Sequence, residues 1–149
     1  HLEKLGLADR VHTFTESTAT VELAAEQLGC EPARIAKTLS FAVDGGCVLI
    51  VCAGDAKIDN TKFKAQFHTK ATMLTPEQVL DFTGHAVGGV CPFGIDNPAV
   101  TAYLDVSLRR FDTVYPAAGN AASAVRLSCG ELDILSNSSG WIDVCKNWS

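Results

Sequence analysis

The stretch Ala36-Lys37-Thr38-Leu39-Ser40-Phe41-Ala42-Val43, then Asp44-Gly45-Gly46, then Cys47-Val48-Leu49-Ile50-Val51-Cys52-Ala53 decides the fold. Two apolar or β-branched runs joined by Asp-Gly-Gly read as a β-hairpin, because glycine supplies the positive φ that tight hairpin turns need. The second run has the length of a buried strand and falls far short of a membrane span. Its two cysteines, Cys47 and Cys52, lie an odd number of positions apart, so they are expected on opposite faces of a sheet. Lys37 stands at the entrance of this hairpin, in a segment otherwise apolar or small. Pattern alone leaves it open between a salt-bridged edge lysine and a functional cation.

Upstream, Leu2 to Leu7 reads as the end of a helix and Arg10 to Thr15 as a short strand. Thr20 caps a helix whose apolar positions Val21, Ala24, Ala25 and Leu28 recur at helical spacing, and Gly29 stops it. Pro32 opens a further helical turn. Downstream, a helix is expected from Asp59 to about Phe67 and a brief strand at Ala71 to Leu74. Thr75-Pro76-Glu77-Gln78 combines an N-cap, a proline at the first helical position and a capping-box glutamine, starting a helix that runs to Phe82 and breaks at Gly84. Val100 to Val106 and Thr113 to Pro116 read as strands around a turn at Ser107 to Arg110. Ala124 to Ser128 is another strand, Glu131 to Ser136 a last helix and Trp141 to Cys145 a closing strand. Strands mixed with short helices, without regular alternation, predict a single α+β domain over residues 1–149, with a mixed, largely antiparallel sheet and short flanking helices.

Composition narrows the function. A chain of 149 residues with 47% hydrophobic content can bury a core without staples. Its six cysteines include no Cys-x-x-Cys pair, so they are expected to be free thiols acting as small hydrophobes in a reducing cytoplasm. His12 and His68 lack neighbouring acidic residues, so no metal is expected, and no nucleotide fingerprint implies a cofactor. The chain opens at His1 with no visible signal peptide, and residues are expected to precede it. A net charge of −5 and a pI near 5.2 argue against a broad grip on nucleic acid. A local positive rim from Arg34, Lys37, Lys57, Lys62, Lys64 and Lys70 would ease that tension, although lysines of this kind also form ordinary solvated faces.

The second informative stretch is Gly88-Gly89-Val90-Cys91-Pro92-Phe93-Gly94. Glycines let another molecule approach the main chain closely, and Pro92 restricts Cys91 to extended geometry. Main-chain N–H groups fixed in such a loop could bind an acyl carbonyl, and a structural turn is the alternative. Cys91 has no sequence-local partner except His85, which makes a poor case for a thiol nucleophile.

Read with Arg34-Ile35-Ala36-Lys37-Thr38-Leu39 and Tyr115-Pro116-Ala117-Ala118-Gly119, this loop resembles the YbaK/prolyl-tRNA-synthetase-associated editing domain family. The resemblance runs from Leu2-Glu3-Lys4-Leu5-Gly6 and Arg10-Val11-His12 to Leu132-Asp133-Ile134-Leu135. It implies a YbaK-like fold and a free-standing hydrolase that deacylates tRNA, of proline type, mischarged with a small amino acid. On that resemblance Lys37, Gly88 and Gly89 are catalytic, and Val90, Cys91, Pro92, Phe93, Gly94, Ala117, Ala118 and Gly119 border the substrate. Lys37 would contact the terminal nucleotide and the acyl ester, while water performs the attack with help from a ribose hydroxyl. The implied partners are the acceptor end of a mischarged tRNA and an aminoacyl-tRNA synthetase, with no DNA and no membrane. Some relatives carry an aspartate where this chain has Ala124, so the alternative is a non-catalytic module of the same fold that binds a tRNA end or an amino acid.

Overall fold

The computed structural model describes residues 11–13, 25–26, 28–43, 45–83, 97–116, 123–136 and 138–146. The expected hairpin is its centre: β2 (Ile35–Val43) and β3 (Gly46–Ala53) pair antiparallel from Ala36 opposite Ala53 to Val43 opposite Gly46. Gly45 takes a φ of 77°, which favours glycine at this turn. Gly46 is needed for a different reason. A Cβ there would stand 2.7 Å from the Ala99 carbonyl oxygen, which also accepts the Cys47 N–H at 2.8 Å.

Around the hairpin the sheet grows by parallel and antiparallel pairing. The further strands are β1 (Val11–Thr13), β4 (Lys57–Ile58), β5 (Val100–Asp105), β6 (Thr113–Pro116), β7 (Ser123–Val125), β8 (Leu127–Ser128), β9 (Trp141–Ile142) and β10 (Cys145–Lys146). The main sheet has the order β8-β6-β2-β3-β5-β9, and the pairs β1-β7 and β10-β4 form two small antiparallel ribbons. β6, β5 and β9 join the main sheet in parallel. The longest ladder remains the antiparallel hairpin, in keeping with the mixed sheet expected.

The helices sit where the sequence signals place them. Asp59 caps α1 (Asn60–Phe67) by accepting the N–H groups of Thr61 and Lys62, and Thr75 and Gln78 close a reciprocal box at the start of α2 (Pro76–Thr83). A third helix, α3 (Cys129–Leu135), carries a capping box between Ser128 and Glu131. Upstream, the N–H groups of Gly29 and Cys30 donate to the carbonyls of Glu26 and Ala25, the double bond of a glycine helix stop, with Gly29 at φ 67°. The predicted Leu2–Leu7 helix and the start of the Thr20 helix lie outside the described residues.

Every residue from Cys47 to Ala53 is buried, and β3 contributes to two cores. Cys52 packs with Ile50, Phe63 and Leu104, whereas Cys47 packs with Leu49, Leu74 and Val79 under α2. The cysteines do point to opposite faces. On the α1 side an aromatic row, Phe41–Phe63–Phe67–Tyr103, has successive ring centroids 4.9, 4.7 and 5.4 Å apart.

Three expected strands differ in detail. Ala71–Leu74 contributes a single bridge, Met73 to Phe41, because Thr72 and Met73 are exposed and Leu74 alone is drawn into the core before Pro76 starts α2. Ala124–Ser128 breaks at exposed Arg126, so Val125 pairs with Val11 while Leu127 pairs with Val114. Trp141–Cys145 breaks because the Val144 N–H donates to a buried carboxylate, that of Asp105, at 2.9 Å rather than to a strand.

Candidate functional site

Lys37 lies near the start of β2, opposite Cys52 of β3, and is half-buried. The chain just beyond β3 turns back at Gly54 and Asp55, with the Ala56 N–H donating to the Ala53 carbonyl at 3.0 Å. The Lys37 Nζ donates to the carbonyl oxygens at both ends of that turn, to Gly54 at 3.3 Å and to Ala56. An ammonium carries three donors, so main-chain acceptors orient this one and leave one N–H for a ligand. A side chain held in this way can meet developing negative charge without first reorienting.

The turn that grips Lys37 is itself fixed from below. Asp105, fully buried at the end of β5, accepts the N–H of Ser107 at 2.9 Å through one oxygen and that of Val144 through the other. Ser107 Oγ in turn accepts the Ala53 N–H at 3.1 Å. A buried carboxylate thus ties the end of β5, the link between β9 and β10, and, through Ser107 and Ala53, the end of β3 and the Lys37 turn into one network.

Above the turn, Arg110 presents both arms of its guanidinium to Asp55, at 2.6 and 3.0 Å. Hydrogen bonding from Arg110 is the largest cause of a lowered Asp55 pKa; partial burial opposes it, and the Lys37 charge adds a smaller lowering. Asp55 is therefore a weak base, occupied by its partner, and a poor candidate to activate water.

The other predicted site residues are reached less directly. Pro116 of β6 pairs with Ala36, so the chain enters Ala117-Ala118-Gly119 from a position beside Lys37; those three residues lie outside the described set. Gly88, Gly89, Val90, Cys91, Pro92, Phe93 and Gly94 lie outside it too. The segment that holds them leaves from Thr83 and returns at Asn97, whose side-chain amide donates to the Phe82 carbonyl at 3.4 Å. Those ends sit at the Gly46 end of the hairpin, about 20 Å from Lys37 at the usual strand rise of about 3.3 Å per residue.

Ala124 is 4% exposed and pairs with His12 across β1 and β7, with no carboxylate of its own to contribute. Among the described residues no group of three His, Cys, Asp or Glu is placed to hold a metal, and no helix is long and apolar enough to cross a membrane. A cleft of about 510 Å³ opens at the Gly46 end of the sheet, lined among others by Gln66, His68, Thr101 and Tyr103. Lys37 does not line it.

Sequence reasoning singled out Lys37 as a candidate and did not mark Asp55, Asp105, Ser107 and Arg110, which the structure links to the turn that holds it. Asp105-Val106-Ser107 has the form of an aspartate bonding its own backbone two residues on, a local signal that was available. Asp55 and Arg110 are joined across the fold, and nothing local announces that pair.

Residues 15–134 match the model of the aminoacyl-tRNA editing domain. This chain belongs to that family. It is 53% identical to the uncharacterized protein YwhH of Bacillus subtilis strain 168, over 99% of this chain and 94% of that one. It is 32% identical to the proline–tRNA ligase of Thermotoga maritima over 65% of this chain, a match that spans 17% of the ligase. A solved structure described as a candidate trans-editing enzyme for prolyl tRNA synthetase superposes with a TM-score of 0.86 at 32% identity, covering 97% of this chain and 92% of its own. As an editing domain, the chain carries the mixed curled sheet that superposes on that structure, with α1, α2 and α3 among its described helices.

Proposed function

We propose that this editing domain is a free-standing deacylase, hydrolysing the ester between a small, wrongly attached amino acid and a proline-type tRNA. The observation that carries this reading is the seating of Lys37: a cation with two donors on main-chain carbonyls and one left for substrate, in a domain whose family edits aminoacyl-tRNA. The chemistry needs little more than positioning. Water attacks the ester carbonyl, N–H groups of Gly88 to Gly94 and the Lys37 ammonium take up the charge on oxygen, and the ribose oxygen leaves. A ribose hydroxyl assists the attack, so no protein base is required. Ala117, Ala118 and Gly119 border the acyl group, and Cys91 sets the size of its pocket. The need for such an enzyme is physical, since a synthetase pocket rejects an amino acid one methylene smaller by only about 10- to 200-fold. The acceptor end of the tRNA and a synthetase that supplies it are the partners, in the cytoplasm.

A deacylation panel tests this reading: one proline-type tRNA charged in turn with alanine, serine, cysteine, threonine and 2-aminobutyrate. Turnover of at least one of them, lowered by about 10-fold or more in Lys37→Ala, supports it. The rival, a binding module without turnover, is favoured by Ala124 and by the occupied Asp55. Tight binding of charged tRNA with no release of any amino acid would establish the rival instead.

A further inference from the structure

Two arginines that neighbour Arg110, Arg109 in sequence and Arg34 across the Phe111 ring, are held without a carboxylate among the described residues. Arg34 closes the turn Pro32–Arg34 that leads into β2, and its guanidinium lies 4.8 Å from the centre of the Phe111 ring, which Arg110 also approaches at 5.0 Å. Arg109, exposed, lies 5.2 Å from the centre of the Trp141 ring. Arg110 spends its fork on Asp55, but among the described residues neither Arg34 nor Arg109 has an ion pair or a hydrogen bond. Glu31 and Asp112 are exposed nearby and pair with neither. The lysines expected to form a positive rim do otherwise: Lys62 is committed to Asp143 and the Cys145 carbonyl, and Lys57, Lys64 and Lys70 are exposed elsewhere on β4, α1 and the following loop.

An arginine stacked on an aromatic ring has lost rotamer freedom in advance while its in-plane N–H groups remain free, the arrangement suited to bidentate contact with a phosphate. We propose that Arg34 and Arg109, stacked on Phe111 and Trp141, form a phosphate-binding strip for the RNA backbone that continues from an ester held at Lys37. This rests on the deacylase reading. Any RNA whose terminal ester sits at Lys37 must carry its next phosphates away over neighbouring surface, and Arg110, which follows Arg109 in sequence and shares the Phe111 ring with Arg34, is bound to Asp55 in the turn that seats Lys37. It also resolves how a chain of net charge −5 can hold a polyanion: by a few oriented forks rather than a basic face.

The test compares the wild-type chain with the double variants Arg34→Gln/Arg109→Gln and Arg34→Lys/Arg109→Lys, each first checked for a cooperative thermal transition. Anisotropy with an uncharged acceptor-stem minihelix should show the Gln pair binding about 10-fold more weakly at about 0.1 M salt. The slope of log affinity against log salt should flatten by about 1.4, or about 0.7 for each single-strand phosphate lost. The Lys pair should restore the slope and part of the affinity, which also serves if the Gln pair does not fold. With mischarged tRNA the KM should rise more than kcat falls, and the loss should be smaller on an aminoacyl-adenosine that lacks phosphates. Unchanged affinity and slope in the Gln pair would overturn the strip, as would a polyglutamate peptide that binds the wild type as tightly as the minihelix does. Hydrolysis with an unaltered KM sinks the strip and leaves the deacylase standing. Strip-dependent binding by a chain that hydrolyses none of the charged tRNAs sinks the deacylase and leaves an RNA-binding strip.

Discussion

Arg110 grips Asp55 through both oxygens of its carboxylate, and Asp55 lies between the two residues, Gly54 and Ala56, whose carbonyls hold the Lys37 ammonium. The ion pair clamps the loop that aims the cation. Its pH dependence has a definite sign. A carboxylate whose pKa is lowered on folding contributes stability above its unfolded value, near 3.9, and loses it as pH falls through the lower folded value. Asp55→Asn should therefore cost about 1 kcal/mol at pH 7, the scale of a partly exposed bidentate pair, and the difference from wild type should vanish in strong acid. Denaturant melts of both proteins from pH 7 to pH 2 measure this; a gap that does not shrink as the pH falls would contradict it.

Lys37→Ala should lower deacylation by about 10- to 1000-fold while leaving the melting temperature close to wild type, since the lost contacts are two bonds from a half-exposed side chain. Single-turnover assays and a thermal melt on the same sample check both halves. Near wild-type turnover would remove Lys37 from the chemistry.

Asp105→Ala should be among the most damaging changes in the chain although it touches no substrate. It strands the N–H groups of Ser107 and Val144 in a dry interior, at about 1 to 3 kcal/mol each. Ser107→Ala strands the single Ala53 N–H and should cost about half as much. Urea midpoints decide the ranking, and equal losses would show that the two bonds to Asp105 are not both made.

In the Gly-rich segment, Gly89→Val should damage activity more than stability, because a β-branched side chain would intrude where the acyl group approaches. Cys91→Ala should keep substantial turnover but change which acyl groups are accepted. A destabilised yet fully active Gly89→Val protein would sink the carbonyl-binding role of this loop, and complete inactivity of folded Cys91→Ala would indicate a thiol nucleophile.

Burial pushes the Cys47 thiol up to about 11, so at pH 8 it is overwhelmingly protonated as well as covered. Iodoacetamide at that pH should leave Cys47 unmodified in the folded protein, as peptide mass spectrometry would read, and label it on adding urea.

The hairpin was legible because its signals are local: an apolar run of strand length, a turn closed by Gly45, and an odd spacing that sends Cys47 and Cys52 to different cores. The caps at Asp59, Thr75 and Ser128 are likewise written within three or four residues. What escaped was set by partners distant in sequence. Nothing in Trp141–Cys145 tells that Val144 will answer to Asp105, or that Val125 and Leu127 will leave in different sheets. The same holds for the candidate site: Lys37 stands out as a charge in an apolar run, whereas its clamp, Asp55 with Arg110, is assembled only by the fold.

The antiparallel pairing of β2 with β3 also bears on the order of assembly. The contacts that seat the Lys37 ammonium span 17 and 19 residues, all within one hairpin and its following turn. The parallel register of Cys47 with Val100 must instead close about 50 residues of chain, at a higher entropic cost. The seating of the Lys37 ammonium therefore belongs to a cheaper loop closure than the pairing of β3 with β5, so the candidate cation can be placed without waiting for that distant strand.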